Sequence, residues 1–271
     1  MSDPIKIRAS STSGWNDCPR RGAARAYKDI IEKAGFEVDG KANYVRGVAS
    51  SLGTAVHAGA AHALRKKIDG ESVSLDDMID VSNADFDEAV CNGLSFDSIT
   101  GKPSDAKIQI ERLLKVYFNA ILPNINPIMT EQFIQAELKG GHLLTAHPDV
   151  LEINSVHDLK TGREPYEYHA QLGSYSLLAK ANNICIPEKL IIDWIQRTAI
   201  SKTYIEPKSI VFNVEICEAE AKSTIKSIIS QVKEFQDTGD PVAFPANCMS
   251  NLCSETYCPA HGTDFCKLKE N

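Results

Sequence analysis

The run from Gly141 to Lys160 constrains the fold more than any other part of this chain, because it demands an antiparallel pair of strands. Gly141 to Glu152 is rich in β-formers, Asn154-Ser155 is a tight-turn pair, and Val156-His157-Asp158-Leu159-Lys160 resumes extended structure. Side chains alternate faces along a strand, so Asp158 and Lys160 point one way and Leu159 points into the core. If Asn154-Ser155 is the whole loop, Asp149 lies opposite Lys160 and diagonal to Asp158, on the same face. A one-residue slip would send Asp149 to the other face. Pro148 cannot donate to a ladder, so a bend or bulge is expected where Asp149 must be aimed.

The rest of the chain supplies elements to pack on this hairpin. Helical spacing predicts helices at Arg20 to Lys33, Val48 to Lys67, Leu75 to Cys91 and Asp105 to Ile121, the last with Ile110, Leu113, Leu114, Tyr117, Phe118 and Ile121 on one face. Strands are expected at Met129 to Leu138, Leu143 to Glu152, Val156 to Lys160, Lys189 to Gln196 and Ile210 to Val214. Helices are expected at Tyr166 to Asn182 and Glu218 to Gln236, the latter burying Ile225, Ile228, Ile229, Val232 and Phe235. The expectation is one α/β domain over 1–271, a mixed central sheet flanked by helices. It divides into a helical part (1–125) forming a lid or channel, a sheet core (126–240) and a cysteine-rich tail (241–271). With 43% apolar residues the chain can bury one substantial core, and no linker, repeat or membrane-length apolar run interrupts it.

Two carboxylates, Asp149 and Asp158, with the main-chain carbonyl of Leu159 nearby, suit a hard cation such as Mg2+ or Mn2+ that also binds phosphate oxygens. Such an ion lowers the pKa of a bound water and stabilises charge developing on phosphorus, and Lys160 could orient that water. An isolated D-x-K triplet is more often an ordinary surface pair. Two further segments supply polar groups. Gln171 and Tyr175 fall one turn apart on a helical face, and His57 sits in an Ala-rich helix, as a candidate ligand or a satisfied core histidine. His62, His147 and His157 carry no role beyond packing.

Gly53-Thr54-x-x-His57, Pro148-Asp149, Asp158-x-Lys160-Thr161-Gly162 and Gln171-x-x-x-Tyr175, in this order, resemble the RecB-like branch of the PD-(D/E)XK nuclease superfamily, and the resemblance spans most of the chain. It implies a restriction-endonuclease-like core. It implies that His57, Asp149 and Asp158 hold the metal, that Lys160 is catalytic, and that Gln171 and Tyr175 support substrate and water. The second acid is Asp where the family more often has Glu, and Ala146-His147-Pro148 stands where a glycine usually approaches the first acid. Glu137 resembles an acid that some relatives place near the site.

Eight cysteines are too few for a disulfide scaffold, and Met1 to Arg8 lacks the apolar core of a signal peptide, so a reducing cytoplasm is expected. Four of them, Cys248, Cys253, Cys258 and Cys266, lie in the segment Asn247 to Lys269, which is short of apolar residues and needs something other than a core to order it. Thiolates select zinc or iron–sulfur clusters. A zinc site could use all four, or take His261 in place of one. Ser10 to Pro19, with Trp15 and Cys18-Pro19, resembles the start of RecB-like nucleases that carry a 4Fe-4S cluster, which implies Cys18, Cys253, Cys258 and Cys266 as ligands. The choice between Cys248 and Cys253 stays open. Cys91, Cys185 and Cys217 are expected as buried small hydrophobes.

A net charge of −7 is unusual for a chain that must contact phosphates. Its distribution resolves this, because Asp69 to Asp97 holds nine acids and no Lys or Arg, so the remainder carries −7 + 9 = +2. That segment is expected as a solvated acidic helix, or as one that shields the site or mimics DNA. At the amino end Lys6, Arg8, Arg20, Arg21, Arg25 and Lys28 outnumber Asp3, Asp17 and Asp29. With Trp15 and Tyr27 they could grip DNA, Arg20, Arg21 and Arg25 foremost, or form an ordinary helix face. The resulting expectation is a Mg2+- or Mn2+-dependent DNA nuclease, most readily an exonuclease on ends or single strands. It resembles CRISPR-associated adaptation nucleases and small phage RecB-like exonucleases, which implies a setting in recombination, repair or CRISPR adaptation with a possible protein partner. The rival from another class is a non-catalytic DNA- or partner-binding module that retains the fold.

Overall fold

The computed structural model describes residues 4–38, 46–166, 168–203 and 205–266. Asp3 and the last residues of the expected tail segment, Lys267 to Lys269, lie outside these. In chain order the elements are β1 (Lys6–Arg8), α1 (Thr12–Asp17), α2 (Pro19–Ala26), α3 (Lys28–Lys33), α4 (Val48–Ile68), α5 (Leu75–Cys91), α6 (Pro103–Val116), β2 (Ile134–Leu138), β3 (His142–Ala146), β4 (Val150–Leu151), β5 (Ser155–Lys160), α7 (His169–Ala181), β6 (Lys189–Trp194), β7 (Lys208–Phe212) and α8 (Val214–Thr238). The expected fold class stands: an α/β architecture with mixed sheets flanked by helices.

Local chemistry sets most boundaries. Pro19 opens α2, where its missing N–H costs nothing. Ser74 caps α5 by accepting from the Asp77 N–H, and Asn213 caps α8 by accepting from the Ile216 N–H at 3.0 Å. The Asn213 cap ends the last strand at Phe212 and starts α8 four residues before the expected Glu218. Gly239, at φ 68°, closes α8 in the left-handed conformation. The π-helical turn Tyr117–Ile121 carries α6 to the expected Ile121. The strand expected from Met129 begins only at Ile134, and Met129 makes a single bridge to Leu151. Strand β1 was not foreseen, since three residues give no readable alternation.

The expected strand Leu143 to Glu152 is two strands in two sheets. Strand β3 is central in the order β1-β3-β2, parallel to β1, whereas β4 begins the order β4-β5-β6-β7. The break falls at His147-Pro148-Asp149, where proline denies the ladder a donor. Hairpin β4–β5 pairs Val150 with His157 and Leu151 with Val156, and the Glu152 N–H donates to the Ser155 carbonyl at 2.9 Å. The loop is therefore Ile153-Asn154 and not Asn154-Ser155. Ser155 is buried, bonded through its hydroxyl to the Glu152 carboxylate, and belongs to the strand. The slip is two residues, so every side chain keeps its face, and continuing the register places Asp149 opposite Asp158 instead of Lys160.

Strands β5 and β6 run parallel and are joined through α7, a strand–helix–strand crossover. Strand β5 is buried on both faces. Val156 joins the core formed by α7, α8 and the amino-terminal helices, and Leu159 joins a second core under α4, α5 and α6. The expected helical part is thus divided: Ile5 to Ile31 packs with the sheets and α8, and only α4 to α6 form a separate layer. That layer backs the Leu159 face of β5. None of its residues lines the cleft on the Asp158 face, although His57 of α4 reaches Asp149.

Two close approaches position these helices. A Cβ on Gly173 of α7 would stand 2.0 Å from the Cys217 carbonyl oxygen, so α7 and α8 meet only because that residue is glycine. A Cβ on Gly53 of α4 would stand 3.2 Å from Thr161 Oγ1, which seats the His57 helix against the end of β5.

Candidate active site

Asp158 lies near the carboxyl end of β5 and is 1% exposed. One carboxylate oxygen accepts a hydrogen bond from Gln171 Nε2 at 3.0 Å, and the other meets Lys160 Nζ at 2.5 Å. Gln171 also donates to Tyr175 Oη at 2.7 Å, so the two α7 residues act on Asp158 as one chain of hydrogen bonds. Asp149 faces the same carboxylate across the hairpin. Its Oδ2 accepts from the Leu159 N–H at 2.7 Å and from His57 Nδ1 at 3.3 Å. Thr130 Oγ1 donates to the Asp149 carbonyl at 2.7 Å, and the Glu131 N–H donates to the Pro148 carbonyl at 2.9 Å. These clips hold the backbone that Pro148 removed from the ladder.

His57, Asp149, Asp158, Lys160, Gln171 and Tyr175 thus meet at one place. Leu159 brings its N–H to Asp149, and in an extended strand its carbonyl leaves on the same side. Glu137 does not join them: it stands exposed on β2, away from the cleft. The acid that does is Glu131, six residues earlier, which no sequence signal marked. Its backbone takes a left-handed φ of 49°, unusual for a non-glycine residue and found where surroundings over-determine the chain. Glu131, Asp149 and His57 can each place a ligand atom within 4.8 Å of the others.

The electrostatics of this cluster are those of a cation trap. Burial raises the Asp158 carboxyl, and the Asp149 charge adds to it against Lys160, leaving a pKa of about 6. Burial and then Asp149 push Glu131 up to about 7. Burial disfavours charge on His57 and on Lys160, but Asp149 lifts the imidazole to about 9, and Asp158 with Asp149 lifts the ammonium. Asp149 is held below the usual carboxylate range, since His57 and Lys160 outweigh its burial. The two carboxylates and the imidazole of Glu131, Asp149 and His57, packed so closely beside Asp158, fit a divalent cation, which relieves the repulsion between the acids and is matched by oxygen-rich donors.

The cleft on the Asp158 face encloses about 350 Å³ between Lys6, Arg8, Phe133, His147, Lys160 and Tyr175. On the opposite face, His157 is buried with Nδ1 2.8 Å from Asp193, and Ser209 donates to the same carboxylate. This network ties β5 to β6 and β7.

The amino-terminal cations divide. Arg20 and Arg21 are 3% and 2% exposed, which corrects their expected grip on DNA. Arg20 donates to the carbonyls of Phe244, Pro241 and Cys266 at 2.9, 2.7 and 3.2 Å, and Arg21 pairs with Asp17 and donates to Ser250. Both are ties to the tail. Arg25 is exposed, although its guanidinium also reaches the Tyr257 carbonyl. Trp15 and Tyr27 are likewise buried and cannot stack on bases; Trp15 donates to Gln231 and Tyr27 to the Lys6 carbonyl.

Cys18, Cys248, Cys253, Cys258 and Cys266 line one small cavity, with all five thiols free. Burial raises the Cys258 and Cys266 thiols, and the neighbouring sulfurs of Cys18 and Cys253 raise them further. Cys248 stands exposed at its edge. The tail is not without a core, contrary to expectation: Ala260 and Phe265 are fully buried, and Phe265 packs on Phe36, Phe235 and Phe244. Of the remaining cysteines, Cys217 is buried as expected, Cys185 is partly so, and Cys91 is exposed at the end of α5.

The sequence profile of the PD-(D/E)XK nuclease superfamily matches residues 9–263. No curated protein matches the sequence. Among solved structures, a protein from Eubacterium rectale described as a "putative exonuclease" superposes with a TM-score of 0.54 at 11% identity, over 92% of this chain and 86% of its own. That likeness is one of fold. SSO0001 (TM-score 0.28, 18% identity, 73% of this chain and 83% of its own) and LHK-Exo in complex with dAMP (0.31, 10%, 69% and 97%) are looser likenesses. Among the described residues, no helix is long and apolar enough to cross a membrane.

Proposed function

Since the chain belongs to the PD-(D/E)XK nuclease superfamily, we propose that it is a Mg2+- or Mn2+-dependent deoxyribonuclease of the RecB-like branch, hydrolysing phosphodiester bonds at DNA ends or in single strands. The observation that carries the reading is that Asp149 lines the cleft beside Asp158, Lys160 and Gln171 and also pairs with His57 of α4. The exonuclease preference and a setting in recombination, repair or CRISPR adaptation rest on the resemblance of its motifs to RecB-like nucleases. The free thiols accord with a reducing cytoplasm.

In this reading His57, Asp149 and Asp158, with the Leu159 carbonyl, would hold the cation, and Glu131 would complete the acidic set. When bound, that ion would supply Lewis acidity and lower the pKa of a coordinated water. Lys160 would orient the attacking water and offset charge on the non-bridging oxygens as the bond to the leaving oxygen breaks and that oxygen takes a proton from solvent. Gln171, tied to Tyr175, keeps the Asp158 carboxylate turned toward the cleft. The water proton passes to solvent, and no covalent enzyme intermediate forms. Cys18, Cys253, Cys258 and Cys266 would hold a 4Fe-4S cluster, with zinc as the alternative, since the tail and the start of α2 bring these sulfurs to one cavity.

Digestion of end-labelled single- and double-stranded DNA with Mn2+ tests the reading. Wild type should degrade it, and Asp158→Ala and Lys160→Ala should not; equal activity in all three overturns it.

A further inference from the structure

A second cavity, about 930 Å³ in volume, opens beside the carboxylate cleft and is more basic than the chain as a whole. Lys6, Arg8, Arg25, Lys28 and Lys33 line it along with the buried Arg21, and Asp29 is the one acid among its lining residues. In a protein of net charge −7 that concentration of cations points to a polyanion. Lys6, Arg8, Ser10 and Gln171 line both the groove and the cleft, so a chain lying in the first continues into the second.

Aromatic rings on either side of the centre indicate a lone strand. On the groove side Tyr168 lies under Lys160, with Nζ 4.7 Å from its ring centroid, and meets the exposed Tyr166 edge-on at 6.4 Å. On the far side Phe133 is 50% exposed, lines the cleft, and lies 5.3 Å from the His147 ring and 5.7 Å from Lys6 Nζ. Exposed rings beside a cationic path are what unpaired bases stack on.

We propose that the groove is the track of a single polynucleotide strand, which runs past Lys28, Lys33, Arg25 and Arg8 and crosses the carboxylate cleft with one base against Tyr168 and another against Phe133. This extends the nuclease reading and rests on it for the identity of the cleft. The track replaces the buried Arg20 and Arg21 with cations that reach solvent, and it adds two rings outside the six-residue constellation.

The test is binding without turnover. Fluorescence anisotropy of a labelled oligothymidylate of about 20 nucleotides, in EDTA at stepped salt, should show Lys28→Glu/Lys33→Glu weakened about tenfold or more. Its log–log salt slope should shrink by about 1.4, two phosphate contacts at about 0.7 each. A control pair, Lys115→Glu/Lys189→Glu, carries the same charge change at residues that line neither cavity and should bind as wild type does. Phe133→Ala should lose about tenfold on the oligothymidylate and nothing on an abasic strand of equal length. The proposal is overturned if the groove pair binds like the control pair, if a blunt duplex binds as tightly as the single strand, or if Phe133→Ala weakens the abasic strand equally. Since the EDTA assay needs no catalysis, these outcomes stand apart from the digestion test: a catalytically silent protein could still fill the groove, and an active one could leave it empty.

Discussion

At the scale of single residues, the site is an arrangement of protons as much as of ligands. With Asp158 near 6, Glu131 near 7 and His57 near 9, protons occupy positions that a cation would take. Raising pH removes the carboxyl protons first and the imidazolium proton last, so apparent Mn2+ affinity should tighten steadily from pH 6 to about 9. Calorimetry in buffers of different ionisation heat should detect proton release at pH 7; flat affinity over that range would remove the cation from this cluster. Glu131→Gln should weaken Mn2+ binding by about tenfold or more. Lys160→Ala should instead lower turnover by about 10²–10³-fold while Mn2+ still binds, because the ammonium acts on water and phosphate. A loss of Mn2+ binding in Lys160→Ala would show that its main work is holding Asp158.

At the scale of elements, one strand carries two layers. Strand β5 shows Asp158 and Lys160 to the cleft and Leu159 to the helical layer behind it. Alternation along that strand was legible in the residues, and so were α4, α7 and α8, whose spacing is local. The register was less so. Turn chemistry favoured Asn154-Ser155, but Ser155 is drawn into the sheet by Glu152 and by His157 at 3.3 Å, contacts that no turn rule contains. Helix α7 adds a testable dependence, since Gly173 lies between Gln171 and Tyr175 and against the Cys217 carbonyl. Gly173→Ala should destabilise the fold by about 1–3 kcal/mol in urea titration, the usual cost of overpacking. It should also lower activity beyond that, because the helix must shift with both side chains. Unchanged stability would mean that α7 and α8 part freely.

At the scale of the whole molecule, the two ends of the chain are joined. Cys18 immediately precedes α2, Arg20 and Arg21 bond the tail, and Phe265 enters the main core. Closing so long a loop should stabilise the folded protein by restricting the unfolded one. Protein purified without oxygen should be brown, and Cys258→Ser should be colourless and melt at lower temperature in calorimetry. Colourless wild type with one equivalent of zinc would overturn the cluster assignment in favour of the alternative.

The sequence by itself determined the longer helices, the strand carrying Asp158 and Lys160, the order of the polar motifs and the crowding of cysteines near the carboxyl end, because each depends on neighbours a few residues apart. It did not determine α1, or the break at Tyr27 that divides the helix expected from Arg20 to Lys33 into α2 and α3. Only the tertiary structure decided which acids and cations share a space. Glu131 replaced Glu137, and Arg20 and Arg21 turned from solvent to the tail. The strand through Pro148 divided between two sheets, and a groove formed where β1, α2 and α3 meet the start of α7. All of these are contacts between segments remote in the chain, where burial and charge choose among residues that are locally alike.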